Sequence, residues 1–218
     1  MTANLFISEG RSGQLTFILT SIALIFIYLK GNIKYILYSL ASIILVLYLS
    51  YNFSSTFNSR INLAISNVSD VIKNTNYNSS IGVRLSAYKI LPELMQENNI
   101  LFGSGIGDVR DIVHKKYIQT FGTGKMFDDV NGHIHNTFLS IIISLGTIGL
   151  SIFVYFLYSI LKLRLIDDKL ELIKYSFIFT IVFSSFADNL LGQISALMLF
   201  ALFFSILVLS SKNSETSG

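Results

Sequence analysis

The chain has 218 residues, of which 52% are hydrophobic, only 13% are charged and none is cysteine. Soluble domains carry about 25% charged residues, so this composition excludes an ordinary soluble protein. The lack of cysteine excludes disulfides, thiol chemistry and cysteine-based metal sites. The net charge of +3 comes mostly from Lys and Arg beside the apolar segments, and it gives no reason to expect a nucleic-acid partner.

Five apolar segments predict membrane-spanning helices, which need about 20 residues each. They are Ser12–Leu29, Ile33–Tyr51, Thr137–Leu163, Leu172–Ala187 and Leu190–Ser210. We therefore predict an all-α integral membrane protein, a multi-pass helical bundle. Its expected parts are a transmembrane hairpin at 1–51, a large loop with short helices at 52–135, and C-terminal transmembrane helices at 136–218.

Basic residues in the short connections predict the orientation, because Lys and Arg favour the cytoplasmic side. Among the short connections, those on one side of the predicted spans carry only Arg11. On the other side lie Lys30, Lys34, Lys162, Arg164, Lys169, Lys174 and Lys212. This distribution predicts that the 52–135 loop lies outside the cytoplasm.

The first and last parts of the large loop differ in composition. Asn52–Ser59 and Asn74–Ser80 are rich in Asn and Ser and predict irregular chain, whereas Ile61–Ile72 between them predicts a short helix. Asp108–Thr120 is charged and is also expected to be helical.

The middle of the loop predicts a helix over Gly82–Asn98, in which Pro92 should kink or divide the chain. One face is expected to carry Val83, Tyr88, Leu91, Leu94 and Met95. The glycine-rich segment Gly103–Gly107 then predicts a turn. Further along, Gly146 and Gly149 in the third predicted span are expected to be sites of close packing.

His135 is the first candidate for chemistry. Asn136 or Thr137 is the expected N-cap of the third span, which puts His135 at the positive end of a helix dipole. That position favours the neutral imidazole, which can accept a proton as a general base. A histidine that only hydrogen-bonds at the membrane interface is the alternative. His133 is a weaker candidate because it lies further from the helix start.

Two arginines are candidates for binding phosphate oxygens, because the guanidinium group is planar and permanently charged. Arg84 lies between apolar neighbours in the first turn of the loop helix, where a solvated surface charge is the alternative. Arg11 lies between glycines at the outer end of the first span, where snorkelling to the interface is the alternative.

A metal site is not predicted. His133 and His135 could be grouped with Asp128 and Asp129, but two histidines two residues apart beside a helix start do not form a standard site.

Taken in chain order, these features resemble the C-terminal half of the O-antigen ligase and polysaccharide polymerase superfamily of bacterial membrane proteins. The resemblance covers most of residues 5–155. The matching segments are Gly10-Arg11-Ser12-Gly13, Arg84-Leu85, Leu101–Gly107, His135–Leu139 and Leu145–Leu150. Ser144 is a departure, since family members commonly carry an acid at that position. Family members also have many more spans, so we expect the chain to lack an N-terminal half that completes the lipid-binding groove and to be inactive without it.

The resemblance implies a GT-C-like fold, no cofactor, and a metal-independent inverting glycosyltransferase in the bacterial inner membrane. Such an enzyme moves an undecaprenyl-diphosphate-linked glycan to an acceptor hydroxyl on the periplasmic face. By resemblance, Arg11 and Arg84 would hold the diphosphate and His135 would orient or deprotonate the acceptor. His133 and Asn136 would contact substrate.

The sequence does not determine the acceptor. It could be a lipid A core, as in a ligase, another glycan repeat, as in a polymerase, or a protein hydroxyl, since short motifs do not encode acceptor choice. A non-enzymatic component of polysaccharide export is the alternative from another class. It predicts ionisable groups inside the spans, and spans one, three and five have almost none.

Overall fold

The computed structural model describes residues 11–97, 99–122, 134–165 and 167–216. Within these ranges the chain forms α-helices and one short 3-10 turn at Leu190–Gly192, with no strand, which confirms the all-α prediction. The helices are α1 (Arg11–Tyr28), α2 (Ile33–Phe53), α3 (Ser55–Asn74), α4 (Ser80–Glu97), α5 (Val109–Phe121), α6 (Thr137–Lys162), α7 (Asp168–Ala187) and α8 (Ile194–Thr216).

Four of these helices are long and apolar enough to cross a membrane: α2, α6, α7 and the Ile194–Ser211 part of α8. Ser12–Tyr28 in α1 is an apolar helix of shorter length. The protein is therefore a multi-pass membrane protein. The fifth predicted span begins at Ile194 rather than Leu190, because the 3-10 turn comes first.

The start of the large loop is more regular than its composition predicts. Asn52–Ser59 was expected to be irregular, but α2 continues to Phe53 and α3 begins at Ser55. Ser54 alone separates them, and its hydroxyl accepts the backbone N–H of Phe57 at 3.2 Å, as an N-cap does. The second irregular stretch is confirmed in its central part, 75–79.

Pro92 does not divide the loop helix, since α4 runs through it from Ser80 to Glu97, and a kink at this proline stays a prediction. The apolar side chains that it buries are Val83, Ala87, Ile90 and Leu94, together with Gly82 and the hydroxyl of Ser86. Tyr88, which was expected on that face, is 45% exposed. The predicted helix at Asp108–Thr120 is confirmed as α5, which ends at Gly122 in the left-handed conformation (φ +72°).

The chain divides into two compact units. We call Ile61–Tyr155 the central unit, and Met1–Arg60 with Phe156–Gly218 the flanking unit. The three-part division at 51/52 and 135/136 describes membrane location, which is a different property and stays a prediction.

The flanking unit is held together by apolar packing between helices. Ile160, Ile178 and Leu207 are its most buried side chains, and phenylalanine rings pack around them. One polar contact is added where Ser184 Oγ donates to Thr16 Oγ1 at 3.2 Å.

The core of the central unit joins α4 and α5 to the start of α6. Val83, Ala87 and Ile90 of α4 pack in one cluster with Tyr117 of α5 and Leu139 of α6. Each fully buried aliphatic side chain contributes about 1.5–3 kcal/mol of transfer free energy. This packing fixes the position of α4 relative to the beginning of the third span.

The third span is interrupted at Gly146, whose backbone (φ +67°, ψ −165°) is not helical. The carbonyl groups of Ile143 and Ser144 therefore lack their usual helical donors. They accept instead the backbone N–H groups of Ser104 and Gly105, each at 2.9 Å. Gly146 is thus a close-packing glycine, as predicted, but what it approaches is the loop that follows α4.

The backbone N–H groups just after the break also find their acceptors in this loop. The N–H of Thr147 donates to the carbonyl of Ile100 at 2.9 Å, and the N–H of Ile148 donates to that of Leu101 at 3.2 Å. Gly103 adopts a φ of +71°, and a Cβ there would lie 2.6 Å from the backbone nitrogen of Gly146. The segment predicted as a turn is therefore also close against the third span, where its backbone replaces the hydrogen bonds that the helix lacks at Gly146.

Candidate functional site

Asn136 caps the third span and is buried. Its Oδ1 accepts the N–H of Leu139 at 2.9 Å, and its carbonyl accepts the N–H of Ser140 at 3.0 Å. These bonds satisfy donors that the first turn of a helix leaves unpaired. They confirm Asn136 as the predicted N-cap and place half-buried His135 directly before the positive end of α6.

Asn136 also reaches across to α4. Its Nδ2 donates to the hydroxyl oxygen of Tyr88 at 2.6 Å. One amide therefore uses its oxygen to cap α6 and its nitrogen to bond a neighbouring helix. Since both halves of the amide are engaged, the side chain has one defined orientation, and the backbone beside it at His135 is held with it.

Arg84 lies one turn before Tyr88, and side chains four residues apart share one helix face. Arg84 as a whole is partly buried, and its Nη1 donates to the carbonyl of Ser80 at 2.8 Å. This contact holds the cation near the start of α4. The structure thus brings Arg84, Tyr88, His135 and Asn136 to one region of the central unit.

A buried polar contact lies beneath this region. The hydroxyls of Ser86 and Tyr117 are 2.6 Å apart and share a hydrogen bond, and the carbonyl of Val83 lies within hydrogen-bond distance of both, at 2.8 Å and 3.2 Å. Burial raises the pKa of the Tyr117 hydroxyl, while its bond to Ser86 acts in the opposite direction. The network ties α5 to the part of α4 that carries Arg84.

An ion-pair cluster fixes the other end of α4. Lys116 Nζ of α5 lies 2.7 Å from a carboxylate oxygen of Glu93 and 2.7 Å from one of Glu97. Hydrogen bonds to Glu93 and then Glu97 raise the pKa of Lys116. The Lys116 side chain is buried while both carboxylates remain exposed to solvent. Two contacts from one cation therefore hold α5 against α4.

Tyr88 is the site residue that sequence reasoning missed, since it was assigned to the apolar face. Its spacing of four residues from Arg84 was the available signal. Ser144, the departure expected from the resemblance, bonds to its own helix: Oγ donates to the carbonyl of Ser140 at 2.7 Å. A hydroxyl in that position cannot supply a carboxylate to the site.

The other predicted site residues lie at or beyond the limits of the described ranges. Arg11 begins α1 in the flanking unit, and its side chain lies outside the described part. His133, Asp128 and Asp129 lie outside the described residues. In the part of the chain that is described, no group of three or more His, Asp or Glu side chains could hold a metal ion.

The family model described as O-antigen ligase matches residues 1–154, well over half of the chain. The chain belongs to the O-antigen ligase family. That family is glycosyltransferase-like and includes the ligase and polymerase type of membrane protein, so the resemblance in the sequence is confirmed. Arg11, Arg84, His135 and Asn136 all lie inside the matched region. No curated protein and no solved structure gives a match to the chain.

Proposed function

We propose that this O-antigen ligase family protein transfers an undecaprenyl-diphosphate-linked glycan to an acceptor hydroxyl on the periplasmic face of the bacterial inner membrane. The observation that carries the proposal is the Tyr88–Asn136 hydrogen bond of 2.6 Å. It joins the helix face that carries Arg84 to the start of the third span, where His135 lies. A fixed cation and an imidazole at the end of a span suit displacement of a lipid diphosphate.

Arg84 is proposed to bind the diphosphate of the donor. As the glycosidic C–O bond to phosphate breaks, negative charge grows on the departing phosphate oxygen, and a fixed guanidinium stabilises that charge. Half-burial strengthens the attraction relative to bulk water. The bond from Nη1 to the Ser80 carbonyl keeps the group in place before the donor arrives. Arg11 is proposed, from the family resemblance, as a second cation on the same diphosphate.

His135 is proposed to orient the acceptor hydroxyl and to take its proton. The acceptor oxygen forms a bond to the anomeric carbon from the face opposite the diphosphate, which leaves with the electron pair of the broken bond. This single displacement inverts the anomeric configuration. No metal is needed, because the arginine supplies the positive charge. Asn136 holds the backbone at His135, and both Asn136 and His133 are proposed to contact substrate.

The proposal is tested by incubating the protein, in its full natural chain, with a purified undecaprenyl-diphosphate glycan in the presence of chelator. Two acceptors are supplied separately: lipid A core and free glycan repeat. Release of undecaprenyl diphosphate with a product on lipid A core supports a ligase, and a ladder of longer glycans supports a polymerase. Loss of transfer on adding chelator contradicts the metal-independent mechanism. No release with either acceptor contradicts the proposed function and favours a role in export.

Orientation is part of the proposal and has its own measurement. A reporter fused at Asn76 in the large loop should behave as periplasmic, and one fused at Asp167 should behave as cytoplasmic. A cytoplasmic signal at Asn76 contradicts the proposed location of the site.

A further inference from the structure

The helix α3 begins where a membrane span ends. α2 is long and apolar enough to cross a membrane, and its last turns carry the exposed aromatic side chains Tyr48, Tyr51 and Phe53. Aromatic residues at the end of a span are typical of the membrane–water interface. Ser54 alone separates α2 from α3, so the first residue of α3 lies within about 8 Å of the end of the span, at about 3.8 Å per Cα step.

The chain turns at Ser54. The backbone of Ser54 is extended (φ −110°, ψ 107°), and the side-chain nitrogen of Asn58 donates to the carbonyl of Tyr51 at 3.2 Å. In one straight helix, residues seven apart are separated by about 10.5 Å along the axis, which is too far for an asparagine side chain to bridge. The bond therefore shows that α3 leaves the axis of α2 instead of continuing it away from the membrane.

Beyond this turn, α3 carries an exposed apolar stripe. Ile61, Ile65, Val68 and Ile72 follow one another at spacings of four, three and four residues, which places them on one face of the helix. All four are exposed, Ile65 at 63% and Ile72 at 74%. α3 packs on the protein through another face, where Asn67 is buried. We call these four exposed residues the α3 stripe.

The rest of α3 suits the boundary between lipid headgroups and acyl chains. Its remaining surface is rich in Ser and Asn, and its charged residues are Arg60, Asp70 and Lys73. An amphipathic helix can lie in the plane of this boundary with its apolar face about 5–10 Å deep. Because α3 is a regular helix, its own carbonyl groups accept its N–H groups beyond the first turn, and no irregular backbone has to enter hydrocarbon.

We propose that α3 lies in the membrane interface on the side of the large loop, with the α3 stripe inserted between the acyl chains of the lipids. The occupant is lipid because of the short reach of the chain. The Cα of Ile61 lies within about 13 Å of that of Ser54 whatever the direction of the helix, so the stripe starts at the membrane boundary. The turn at Ser54 then directs α3 along that boundary. This inference needs no assumption about glycan transfer.

Single-cysteine labelling tests the proposal without background, since the chain contains no cysteine. Ile65→Cys and Ile72→Cys place an environment-sensitive fluorophore on the α3 stripe. Ser66→Cys and Lys73→Cys, the next residue in each case, place it on the polar face and are the matched controls. The full chain is reconstituted in vesicles of phosphatidylcholine alone and in a second set that also contains phosphatidylglycerol. Quenching is measured with a nitroxide near the glycerol end of the acyl chain and with iodide on both sides of the membrane.

The labels at 65 and 72 should be quenched several-fold more by the nitroxide than the labels at 66 and 73, and several-fold less by iodide. The difference should be the same in both sets of vesicles, because the stripe carries no charge.

Equal quenching of the two labels in each pair would overturn the proposal, since α3 would then lie wholly in water or wholly in lipid. Labels at 65 and 72 that are shielded from both quenchers would show that protein, a second copy included, covers the stripe, which also overturns it. A difference that appears only with phosphatidylglycerol would show that charge and not the stripe holds α3 at the membrane. Transfer activity has no part in this readout, so its outcome is independent of the proposed function.

Discussion

The hydroxyl of Tyr88 lies 2.6 Å from the side-chain nitrogen of Asn136, although 48 residues separate them in the chain. The same asparagine caps the third span through Oδ1. The contact therefore links the helix that carries Arg84 to the backbone that carries His135. In the proposed site, Arg84 and His135 come from these two elements.

Tyr88→Phe should lower the rate of transfer without changing protein level. The ring stays and the hydroxyl is lost, so Asn136 loses its partner on α4 and His135 is held less firmly. A hydrogen bond of this kind contributes about 0.5–1.5 kcal/mol, which corresponds to a loss of up to about tenfold. We expect the loss in kcat, with KM for the donor nearly unchanged. Tyr38→Phe on α2, also an exposed tyrosine, is the control; equal kcat in both variants would remove the positioning role.

Arg84→Lys should fail nearly as badly as Arg84→Ala. The ammonium group is a point charge and cannot reproduce two parallel hydrogen bonds to phosphate oxygens. A loss of about 2–3 kcal/mol in transition-state stabilisation, roughly 30- to 150-fold in kcat/KM, is expected for a charge-assisted contact of this kind. Arg110→Lys on α5 is the matched control and should be neutral. Full activity of Arg84→Lys would show that Arg84 is a surface charge only.

His135→Ala should abolish glycan transfer while the protein still inserts in the membrane. A positioned general base contributes about 10²–10⁴-fold to the rate. His133→Ala should be milder, and His114→Ala on α5, another half-buried histidine, should leave activity unchanged. The measurement is transfer from the purified lipid-linked donor at equal protein level. If His135→Ala is as active as the parent protein, His135 is not the general base.

Gly146→Ala should destabilise the central unit. A side chain at φ +67° is strained, and the added Cβ would collide with the backbone carbonyl of Leu101. Strain of this kind costs about 1–3 kcal/mol before the collision is counted. Gly107→Ala, where a Cβ meets nothing within 4 Å, should change stability by less than about 0.5 kcal/mol. Thermal unfolding of the two variants in detergent compares them directly, and equal Tm values would show that the break tolerates a side chain.

The Lys116 cluster predicts a loss of stability at high pH. The folded-state pKa of Lys116 is raised by Glu93 and Glu97. The stabilising contribution is therefore fully present below the unfolded-state value of about 10.4 and is lost as the pH rises through the higher folded-state value. The Tm difference between the parent and Lys116→Met should be constant from about pH 7 to 9 and shrink above about pH 10.5. Lys115→Met is the control, and a difference that persists unchanged at high pH would exclude the ion pairs as its cause.

Several features of this protein were determined by the sequence itself. The apolar segments, the large polar loop between them, α5 and the cap at Asn136 were predicted correctly, because each depends on residues within a few positions of one another. Local periodicity and side-chain type are enough for such elements. The family was also evident, since its short segments occur in a fixed order along the chain.

Other features were decided only by the tertiary structure. The break at Gly146 exists because Ser104 and Gly105 replace the helical donors of Ile143 and Ser144, and a loop about forty residues away cannot be inferred from a span that reads as continuously apolar. The expectation that Tyr88 lies on the buried face is wrong. An amphipathic pattern does not distinguish a buried tyrosine from one whose hydroxyl accepts a hydrogen bond from the N-cap residue of another helix, as Tyr88 does from Asn136. Packing between helices determines which residues far apart in the chain come into contact, and local sequence patterns do not specify those contacts.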